Sequence, residues 1–375
     1  MQVQLLPTGH EEFWVRIGYN RQKMYISKIL LQNFRSYDKK LVEFDKKANL
    51  VLGKNGSGKT NLLEAIYFLS SGKSFRSSSS SQLIKWDEKI CSVRAKINDK
   101  DGENEIEVQL WREDSGSLKR RFLIDKVVKT RAKYWGKMKV VIFEPEDIRL
   151  ITGSPGRRRD FLDSIFANTE WRYASALSQY HKALRHRNEL LDIIASGKAK
   201  KAELFYWDQS LIKNAEIIQN FRFEWVKSAN NFFVNHADKE INKLFIKYQT
   251  STITLEKLEK LYFIELAAGH SKCGPHLDDF GIDFADFATE DKNLAFWGSR
   301  GQQRLAVLAL RLAQINYLEE KYQEEPILLL DDIFSELDEN HRQIVIEICR
   351  KYQTIFTSAE KSIEEHLPNS IIISL

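Results

Sequence analysis

The sequence predicts an α/β fold in which a core of strands and helices is interrupted by a helical lobe. Residues 139–143 and 326–330 are short apolar runs, typical of buried central strands. Residues 90–97 and 104–111 alternate between apolar and polar side chains, as half-exposed antiparallel strands do. Residues 156–248 show long helical patterns, few glycines and no convincing strand, so we assign the lobe to them.

The N-terminal part of the chain predicts a strand, loop and helix unit. Residues 1–23 lack a regular pattern, and we predict a poorly ordered extension there. The first strand begins at Met24, where the stretch MYISKILLQNF is alternating and β-branched. Strands at 41–44 and 49–53 follow, and then a helix at 59–70.

Strand signals return after the helical region, with helices between them. The α/β core is therefore predicted to comprise residues 24–155 and 249–375, with the lobe at 156–248. The later strands are predicted at 249–254, 278–284, 326–330, 353–357 and 371–374.

Composition narrows the class of protein. With 375 residues and 43% hydrophobic content, the chain is long enough for one large domain or two moderate ones. The net charge of +5 permits a polyanionic partner without requiring one. The three scattered cysteines argue against a disulfide framework and a zinc site, and favour the cytoplasm. No apolar run approaches the roughly 18 residues that a spanning helix needs, so no membrane association is expected.

Residues 53–60, GKNGSGKT, carry the most specific local motif, because GxxxxGK[ST] lies here between a predicted strand and a predicted helix. Glycines let backbone N–H groups turn inward around phosphate oxygens, and the helix N-terminus adds its positive dipole end. Lys59 supplies a cation and Thr60 offers a hydroxyl to Mg²⁺. The alternative is a glycine-rich turn that only caps a helix. The predicted nucleotide-binding residues here are Gly53, Lys54, Asn55, Gly56, Ser57, Gly58, Lys59, Thr60 and Asn61.

A second motif is the apolar run 327–330, which ends in Asp331 and Asp332. Carboxylates at the carboxyl end of a buried parallel strand belong in the ligand crevice of an α/β fold. We predict that Asp331 holds Mg²⁺ together with Thr60, and that Asp332 polarises the attacking water. The predicted catalytic residues are thus Lys59, Asp331 and Asp332. The alternative is that one of the two acids only caps the next helix.

A third motif, SRGQ at 299–302, precedes a helix with helically spaced apolar positions. This is another helix N-terminus suited to an anion. The P-loop, as the phosphate-binding loop at 53–60 is called, already encloses the phosphates of one nucleotide. A second element is therefore most useful when it faces the nucleotide of another subunit. The alternative is an ordinary capped surface helix. The residues predicted to act in trans are Ser299, Arg300, Gly301 and Gln302.

These three segments, in this order, resemble the ATP-binding cassette superfamily, in which a signature loop of one protomer closes over the P-loop nucleotide of the other. The sequence more specifically resembles the RecF family of bacterial DNA recombination and repair proteins, over roughly residues 24–375. Lys59 and Ser299 are 240 positions apart in the sequence, and the segment between them lacks the long heptad repeats of SMC-type relatives. The matching segments are NFRS (33–36), GKNGSGKTNLLEAIY (53–67), FEPEDIRLITGSPGRRRDFLD (143–163), HRNELL (186–191), GPH (274–276), SRGQQR (299–304) and LLLDDIFSELD (328–338).

The resemblance implies a fold and a set of site residues. The fold is an ABC-type ATPase core, with a P-loop parallel sheet plus an antiparallel β layer, and an inserted α-helical lobe. The cofactors are ATP and Mg²⁺, and Arg35 reaches the nucleotide unless it lies on a solvated face. Glu144 or Glu146 is a candidate for the Q-loop position. Thr357 and Ser358 follow the last core strand, where many cassette proteins have a switch histidine. The D-loop at the dimer seam comprises Ser335, Glu336, Leu337 and Asp338.

The resemblance also implies that an ATP-dependent homodimer binds double-stranded or gapped DNA and releases it after slow hydrolysis. RecR and RecO are the implied partners, with RecA loaded downstream. Residues 157–250 support a polyanionic partner, because sixteen lysines and arginines face eleven acids there, an excess of five. A solvated charged face explains each basic cluster equally well. The candidate DNA-binding residues are Arg157, Arg158, Arg159, Lys182, Arg185 and Arg187.

Three other functions compete with this interpretation. A transporter ATPase subunit binds a membrane partner, and the motif spacing disfavours it. A small-molecule kinase uses the P-loop alone, which leaves the motifs at 299–302 and 335–338 without a role. A nuclease-associated relative carries a carboxylate-rich nuclease domain, which the sequence does not show.

Overall fold

The fold is taken from a computed structural model, which describes residues 22–76, 79–99, 102–284, 293–337, 339–359 and 370–375. Most of the predicted N-terminal extension, residues 1–21, lies outside the described residues, and so does Asp338 of the predicted D-loop. Gln22 and Lys23, at the end of that extension, form the first strand.

The described part of the chain contains both strands and helices. The strands are β1 (Gln22–Lys23), β2 (Tyr25–Phe34), β3 (Tyr37–Glu43), β4 (Ala48–Leu52), β5 (Ile90–Asp99), β6 (Gly102–Arg112), β7 (Leu118–Ile124), β8 (Val127–Lys129), β9 (Val140–Phe143), β10 (Leu244–Gln249), β11 (Asp279–Phe284), β12 (Glu324–Glu325), β13 (Ile327–Asp331), β14 (Thr354–Ser358) and β15 (Ile371–Ser374). The helices are α1 (Lys59–Ser71), α2 (Arg131–Tyr134), α3 (Arg149–Thr152), α4 (Pro155–Ala167), α5 (Trp171–Ala195), α6 (Phe205–Val234), α7 (Leu255–Ala268), α8 (Leu294–Trp297), α9 (Arg300–Tyr322) and α10 (Glu339–Lys351).

The central sheet is parallel and has the strand order β15-β4-β14-β13-β9. Leu329 of β13 lies opposite Ile355 of β14 on one side and Ile142 of β9 on the other. Since all five strands run in the same direction, their carboxyl ends meet at one edge of the sheet. That edge carries the P-loop, which follows β4, and the two acids at the end of β13.

The two faces of this sheet belong to two hydrophobic clusters. Leu328 and Leu330 face a cluster that includes α9, α10 and the helical lobe. Ile327 and Leu329 face a cluster formed with α1 and the antiparallel layer. Because successive strand residues point to opposite faces, the continuous apolar sequence of β13 is what a strand covered on both faces requires.

The antiparallel layer has six strands, in the order β3-β2-β5-β6-β7-β8. The predicted strands at 90–97 and 104–111 are confirmed as β5 and β6, which pair directly. Strands β7 and β8 were not predicted. They are joined at Asp125 and Lys126, whose φ angles are 49° and 64°. A two-residue turn of this kind usually contains glycine, and its absence here removed the sequence signal.

The strand predicted at 249–254 is wrong. The strand in this region is β10, Leu244–Gln249, which pairs with β11 in an antiparallel hairpin. The backbone N–H of Ser251 instead donates to Asp278 Oδ1 at 2.7 Å, and the hydroxyl of Thr254 caps α7. The β-branched residues at 252–254 therefore mark a helix start and not a strand.

The helical lobe contains α4, α5 and α6, as predicted from the helical patterns, and α7 packs against α5 and α6. Its interior belongs to the same hydrophobic cluster as one face of the parallel sheet. The domain boundaries at 155–156 and 248–249 stay predictions. Within the described ranges, no helix has the length and apolar character needed to cross a membrane.

Candidate functional site

The loop between β4 and α1 has a backbone that only glycine accommodates at two positions. Gly56 and Gly58 have φ angles of 84° and 102°. A Cβ atom added to Gly58 would lie 2.7 Å from Tyr37 Oη, and one added to Gly53 would lie 2.4 Å from Ser57 Oγ. The loop therefore needs its glycines both for the turn and for close packing.

Lys59 and Ser57 line the inside of this loop. The ammonium of Lys59 donates to the carbonyl of Gly53 at 2.6 Å and to that of Lys54 at 3.1 Å. Ser57 Oγ is buried and has no hydrogen-bond partner in the described structure. A buried hydroxyl without a partner costs free energy, which a phosphate oxygen in the loop would offset.

Asp331 connects the end of β13 to the start of α1. Thr60 Oγ1 donates to Asp331 Oδ1 at 3.0 Å, and Thr357 Oγ1 donates to the same oxygen at 2.7 Å. The predicted metal-binding pair, Thr60 and Asp331, is thus brought together although 271 residues separate the two. Thr357 lies near the carboxyl end of the neighbouring strand β14, where many cassette proteins have a switch histidine.

Asp332 is the next residue and has a left-handed backbone, with φ at 49°. Its N–H donates to Thr357 Oγ1 at 3.1 Å. Non-glycine residues in this region of backbone space are uncommon and cluster at functional sites, and aspartate tolerates it better than most. The backbone turn carries the Asp332 side chain out of the strand direction to an exposed position at the sheet edge.

Glu144 directly follows β9, the strand beside β13, whereas Glu146 is exposed and pairs with Arg149. Burial raises the pKa of Glu144 to about 8, and the carboxylates of Asp147 and Asp331 add to the effect. Glu144 is therefore the better of the two Q-loop candidates, since the charge of Asp331 in the site affects its pKa. This assignment stays a prediction.

Arg35 follows β2 with φ at 53°. Its guanidinium makes a two-point contact with Glu64 of α1, at 2.7 and 2.6 Å. Glu64 is fully buried, and Ser74 also donates to it. The solvated-face alternative for Arg35 is thus wrong, while its contact with nucleotide stays a prediction. An acid inside an otherwise apolar helix was the sequence signal for this pair, and it was missed.

The segment 299–302 begins α9 with a reciprocal cap. Ser299 Oγ accepts from the N–H of Gln302 at 3.3 Å, and the Gln302 side chain accepts from the N–H of Ser299 at 2.9 Å. Arg300 and Gly301 are exposed. The segment therefore forms a capped helix start, as the alternative predicted. The role of these residues in trans stays a prediction. Of the D-loop, Leu337 borders a cavity of about 350 Å³ that Arg300 also lines.

The basic residues predicted to contact DNA do not share one surface. Arg158 makes a two-point contact with Asp279, and Arg159 donates to the carbonyl of Asp278. Arg157 is more exposed, and its guanidinium lies 3.8 Å from Glu146. Arg158 is thus largely occupied in holding α4 against the β10–β11 hairpin.

The prediction for Arg187 is wrong, because it placed this residue in a basic surface cluster with Lys182 and Arg185. Its side chain is 1% exposed and pairs with Asp208 at 2.6 Å and Glu265 at 2.8 Å. Five residues along an α-helix correspond to about 140° around its axis, so Arg187 leaves the face that carries Lys182. Lys182 and Arg185 are exposed and border the same cleft.

The chain is similar to one protein family and to named relatives over most of its length. Residues 25–372 match the profile of the RecF/RecN/SMC N terminal domain family. The chain is 34% identical over 359 residues to the DNA replication and repair protein RecF of a Thermoanaerobacter species, covering 90% of this chain and 95% of that protein. It is 33% identical over 361 residues to the protein of the same name from Bacillus cereus, covering 92% and 94%.

Solved structures give the same result for the fold. The recombination mediator protein RecF with bound ATP, described as part of the RecFOR pathway, matches with a TM-score of 0.81 and 32% identity, covering 92% of this chain and 95% of that one. An Smc head domain from Pyrococcus furiosus matches with a TM-score of 0.50 and 19% identity, which bears on the fold alone. The predicted ABC-type core with an antiparallel layer and added helices is confirmed.

Proposed function

The chain belongs to the RecF family, and from this premise we propose that it is an ATP-dependent DNA-binding protein of replication and repair. In this proposal ATP joins two copies of the chain, the joined form grips double-stranded or gapped DNA, and slow hydrolysis releases it. The observation that carries the proposal is the convergence of the P-loop hydroxyl of Thr60 on Asp331, within 3.0 Å. The same convergence supports a nucleotide site that is linked to β13, the strand that Asp332 directly follows.

The site residues fit ATP and Mg²⁺. Thr60 and Asp331 would hold the metal, since both supply the oxygen ligands that Mg²⁺ prefers. Bound Mg²⁺ neutralises charge on the phosphate oxygens. Lys59 exchanges the carbonyls of Gly53 and Lys54 for phosphate oxygens, and the unpartnered hydroxyl of Ser57 gains an acceptor.

Hydrolysis is assigned to groups at the edge of the parallel sheet. Asp332 accepts a hydrogen bond from the attacking water and so orients it towards the γ-phosphate. Thr357 holds the carboxylate of Asp331 and the N–H of Asp332, so it positions both acids. An Asp at this position is shorter than the Glu of most cassette ATPases, which is consistent with slow turnover acting as a timer.

The dimer is proposed because α9 begins with an exposed segment that carries Arg300 and Gly301. Its N-terminal N–H groups suit a phosphate that a second copy would supply. In the same arrangement the D-loop, 335–338, lies at the seam between the copies.

Replacing Ser299 by Arg tests the dimer. We expect Ser299→Arg to bind ATP normally and to lose ATP-induced dimers, measured by light scattering. Thr254→Arg is the control, because the hydroxyl of Thr254 caps α7 as that of Ser299 caps α9, by accepting from a backbone N–H of the first turn. Each variant loses about 1 kcal/mol from its cap. Persistent ATP-induced dimers in Ser299→Arg would show that the assignment in trans is wrong.

DNA-stimulated ATPase activity tests the function as a whole. The measurement uses duplex, gapped duplex and single-stranded oligonucleotides over a salt series, because phosphate contacts weaken as salt rises. We expect DNA to stimulate hydrolysis in the wild-type chain, and Lys59→Arg to bind ATP without hydrolysing it. ATP turnover that ignores DNA and transfers the γ-phosphoryl group to a small molecule, with release of ADP, would support a kinase instead.

We propose the cytoplasm as the location, with RecR and RecO as partners and assistance to RecA loading as the outcome. The solved relative acts in the RecFOR pathway, which supports this choice of partners. Size-exclusion chromatography of this chain with RecR and RecO, with and without ATP and gapped DNA, tests it. Stable association with a membrane transport subunit would favour the transporter ATPase alternative.

A further inference from the structure

A cleft of about 690 Å³ lies where the end of α1, helix α2 and helix α5 meet. Four of the residues that line it are cationic, and they come from three separate parts of the sequence. No aspartate or glutamate is among the described residues that line it. The cations are Lys73, Arg131, Lys182 and Arg185.

Lys73 and Arg131, two of the cations that line this cleft, repel one another. Burial lowers the pKa of Lys73, and the charge of Arg131 lowers it further. Burial lowers the pKa of Arg131 to about 10, with an added effect from Arg120. The acids that raise the pKa of Lys73 are Asp163 and Asp160 of α4, and Asp163 is already paired with Arg222. Positive charge in the cleft is therefore only partly compensated, and a bound anion would relieve it.

Two tryptophans stand beside these cations. The rings of Trp135 and Trp171 meet edge to face, with centroids 5.8 Å apart, and the guanidinium of Arg131 lies 4.0 Å above the Trp135 ring. Trp171 is 47% exposed. Arg131 Nε and Trp135 Nε1 are buried and have no hydrogen-bond partner in the described structure. Cations alternating with an exposed aromatic ring are the combination that binds single-stranded nucleic acid.

The volume of the cleft fits a single strand of nucleic acid better than a double helix. Clefts of roughly 300–1,000 Å³ take ligands of drug size. This cleft therefore accommodates one or two nucleotides of a strand, and not a double helix.

We propose that this cleft binds a single-stranded stretch of nucleic acid, with phosphates on Lys73, Arg131 and Lys182 and an unpaired base stacked on Trp171. The proposal deepens the proposed DNA binding and rests on it. The single-stranded part of a gapped substrate occupies the cleft, while its duplex part binds elsewhere on the molecule.

The position of Lys73 connects the cleft to the nucleotide site. Helix α1 begins at Lys59 in the P-loop and ends at Ser71, two residues before Lys73. At about 1.5 Å per residue, this helix is about 20 Å long. ATP and the single strand thus bind at opposite ends of one helix.

Fluorescence anisotropy with a labelled oligothymidylate of about 15 nucleotides tests the proposal, since such strands match known single-strand site sizes. The cleft variant is Lys73→Gln with Arg131→Gln. The control is Lys89→Gln with Lys243→Gln, which removes the same charge from two exposed lysines outside the cleft, each close to a carboxylate. We expect the cleft variant to lose about tenfold or more in affinity for the strand and about 1.4 units of salt slope, and the control to lose less than half of that.

Stacking is tested separately at Trp171. Trp171→Ala is expected to weaken strand binding about fivefold or more, whereas Trp171→Phe keeps a ring and most of the affinity. ATP binding and the thermal unfolding midpoint, measured on every variant, exclude loss of folding as the cause.

Three results overturn the proposal, and they separate it from the proposed function. If the cleft variant binds the strand as tightly as the wild-type chain does, the cleft is not the site, while the proposed DNA binding stands. If excess inorganic phosphate displaces the strand from the wild-type chain and the cleft variant loses only phosphate binding, the cleft takes free anions. If the wild-type chain binds no DNA of any form with ATP, the proposed function fails together with the cleft.

Discussion

Asp331 is the residue on which the candidate site converges. Two hydroxyls donate to the same oxygen of its carboxylate, one from the P-loop helix and one from the neighbouring strand. The pairing with Thr60 was predicted from two motifs, because each motif specifies the chemistry of its own residues. Thr357 was named only as a residue near an expected switch position. Its contact depends on the register of β13 and β14, which no local sequence pattern encodes.

We predict that Thr357 is a positioning residue for hydrolysis. Thr357→Val keeps the shape of the side chain but removes the hydroxyl that contacts Asp331 and the N–H of Asp332. The expected result is a kcat at least about tenfold lower with little change in KM, because misplaced acids affect the transition state more than binding. Thr357→Ser is the control and retains most of the activity. Equal kcat values for Val and Ser would contradict the prediction.

His236 predicts a pH dependence of stability. Burial lowers the pKa of His236 from 6.5 to about 4. The unfolded chain therefore takes up a proton more readily than the folded protein, so the free energy of unfolding is highest above pH 6.5 and falls as the pH drops towards 4. At pH 5 the loss is at most about 2 kcal/mol.

Urea unfolding at pH 5 and pH 7.5 measures this loss. His236→Gln removes the titrating group, so its stability is expected to change less between the two pH values than that of the wild-type chain. His270→Gln, at an exposed position, is the control and keeps the wild-type dependence. An unchanged pH dependence in His236→Gln would contradict the assignment.

Helix α9 is the element that joins the signature segment to the rest of the core. It begins at the cap formed by Ser299, and its buried Arg311 makes a two-point contact with Asp147 at 3.0 and 2.5 Å. Asp147 lies in the short turn that follows β9 and Glu144. The amphipathic pattern predicted the helix. The partner of Arg311 was not predicted, since a charged residue in a helical pattern usually lies on a solvated face.

We predict that this ion pair contributes strongly to stability. Arg311→Met leaves the carboxylate of Asp147 buried without its partner, at an expected cost of about 3–5 kcal/mol. The exposed pair of Arg149 and Glu146 is the internal comparison, and Arg149→Met is expected to cost less than about 1 kcal/mol. Urea midpoints and slopes of both variants measure the difference. Similar losses of unfolding free energy in the two variants would contradict the prediction that the buried pair stabilises the fold more than the exposed pair does.

The architecture of the molecule was predictable from the sequence, whereas two strands and the partners of a buried arginine were not. The apolar strands, the alternating layer and the helical lobe follow from periodicity, which reports burial directly. Strands β7 and β8 were missed because their turn at 125–126 lacks glycine. Arg187 was misplaced because its acidic partners, Asp208 and Glu265, lie on other helices. Long-range pairing of polar groups is what sequence patterns do not contain.

At the scale of the assembled molecule, we predict that ATP turnover depends on protein concentration. The P-loop, Asp331 and Asp332 belong to one chain, whereas the exposed start of α9 is proposed to complete the site of a second copy. Specific activity per chain is therefore expected to rise with concentration until the dimer predominates, since dimer formation follows mass action.

Steady-state ATPase rates at constant ATP over about a hundredfold range of protein concentration provide the measurement. Mixing provides the sharper test. Lys59→Arg is expected to be inactive in its own site but to keep an intact start of α9, and Ser299→Arg the reverse. Since each mixed dimer then contains one complete site, the mixture is expected to recover activity that neither variant has alone. A rate per chain that stays constant with dilution, together with no recovery on mixing, would mean that each monomer holds a complete catalytic site.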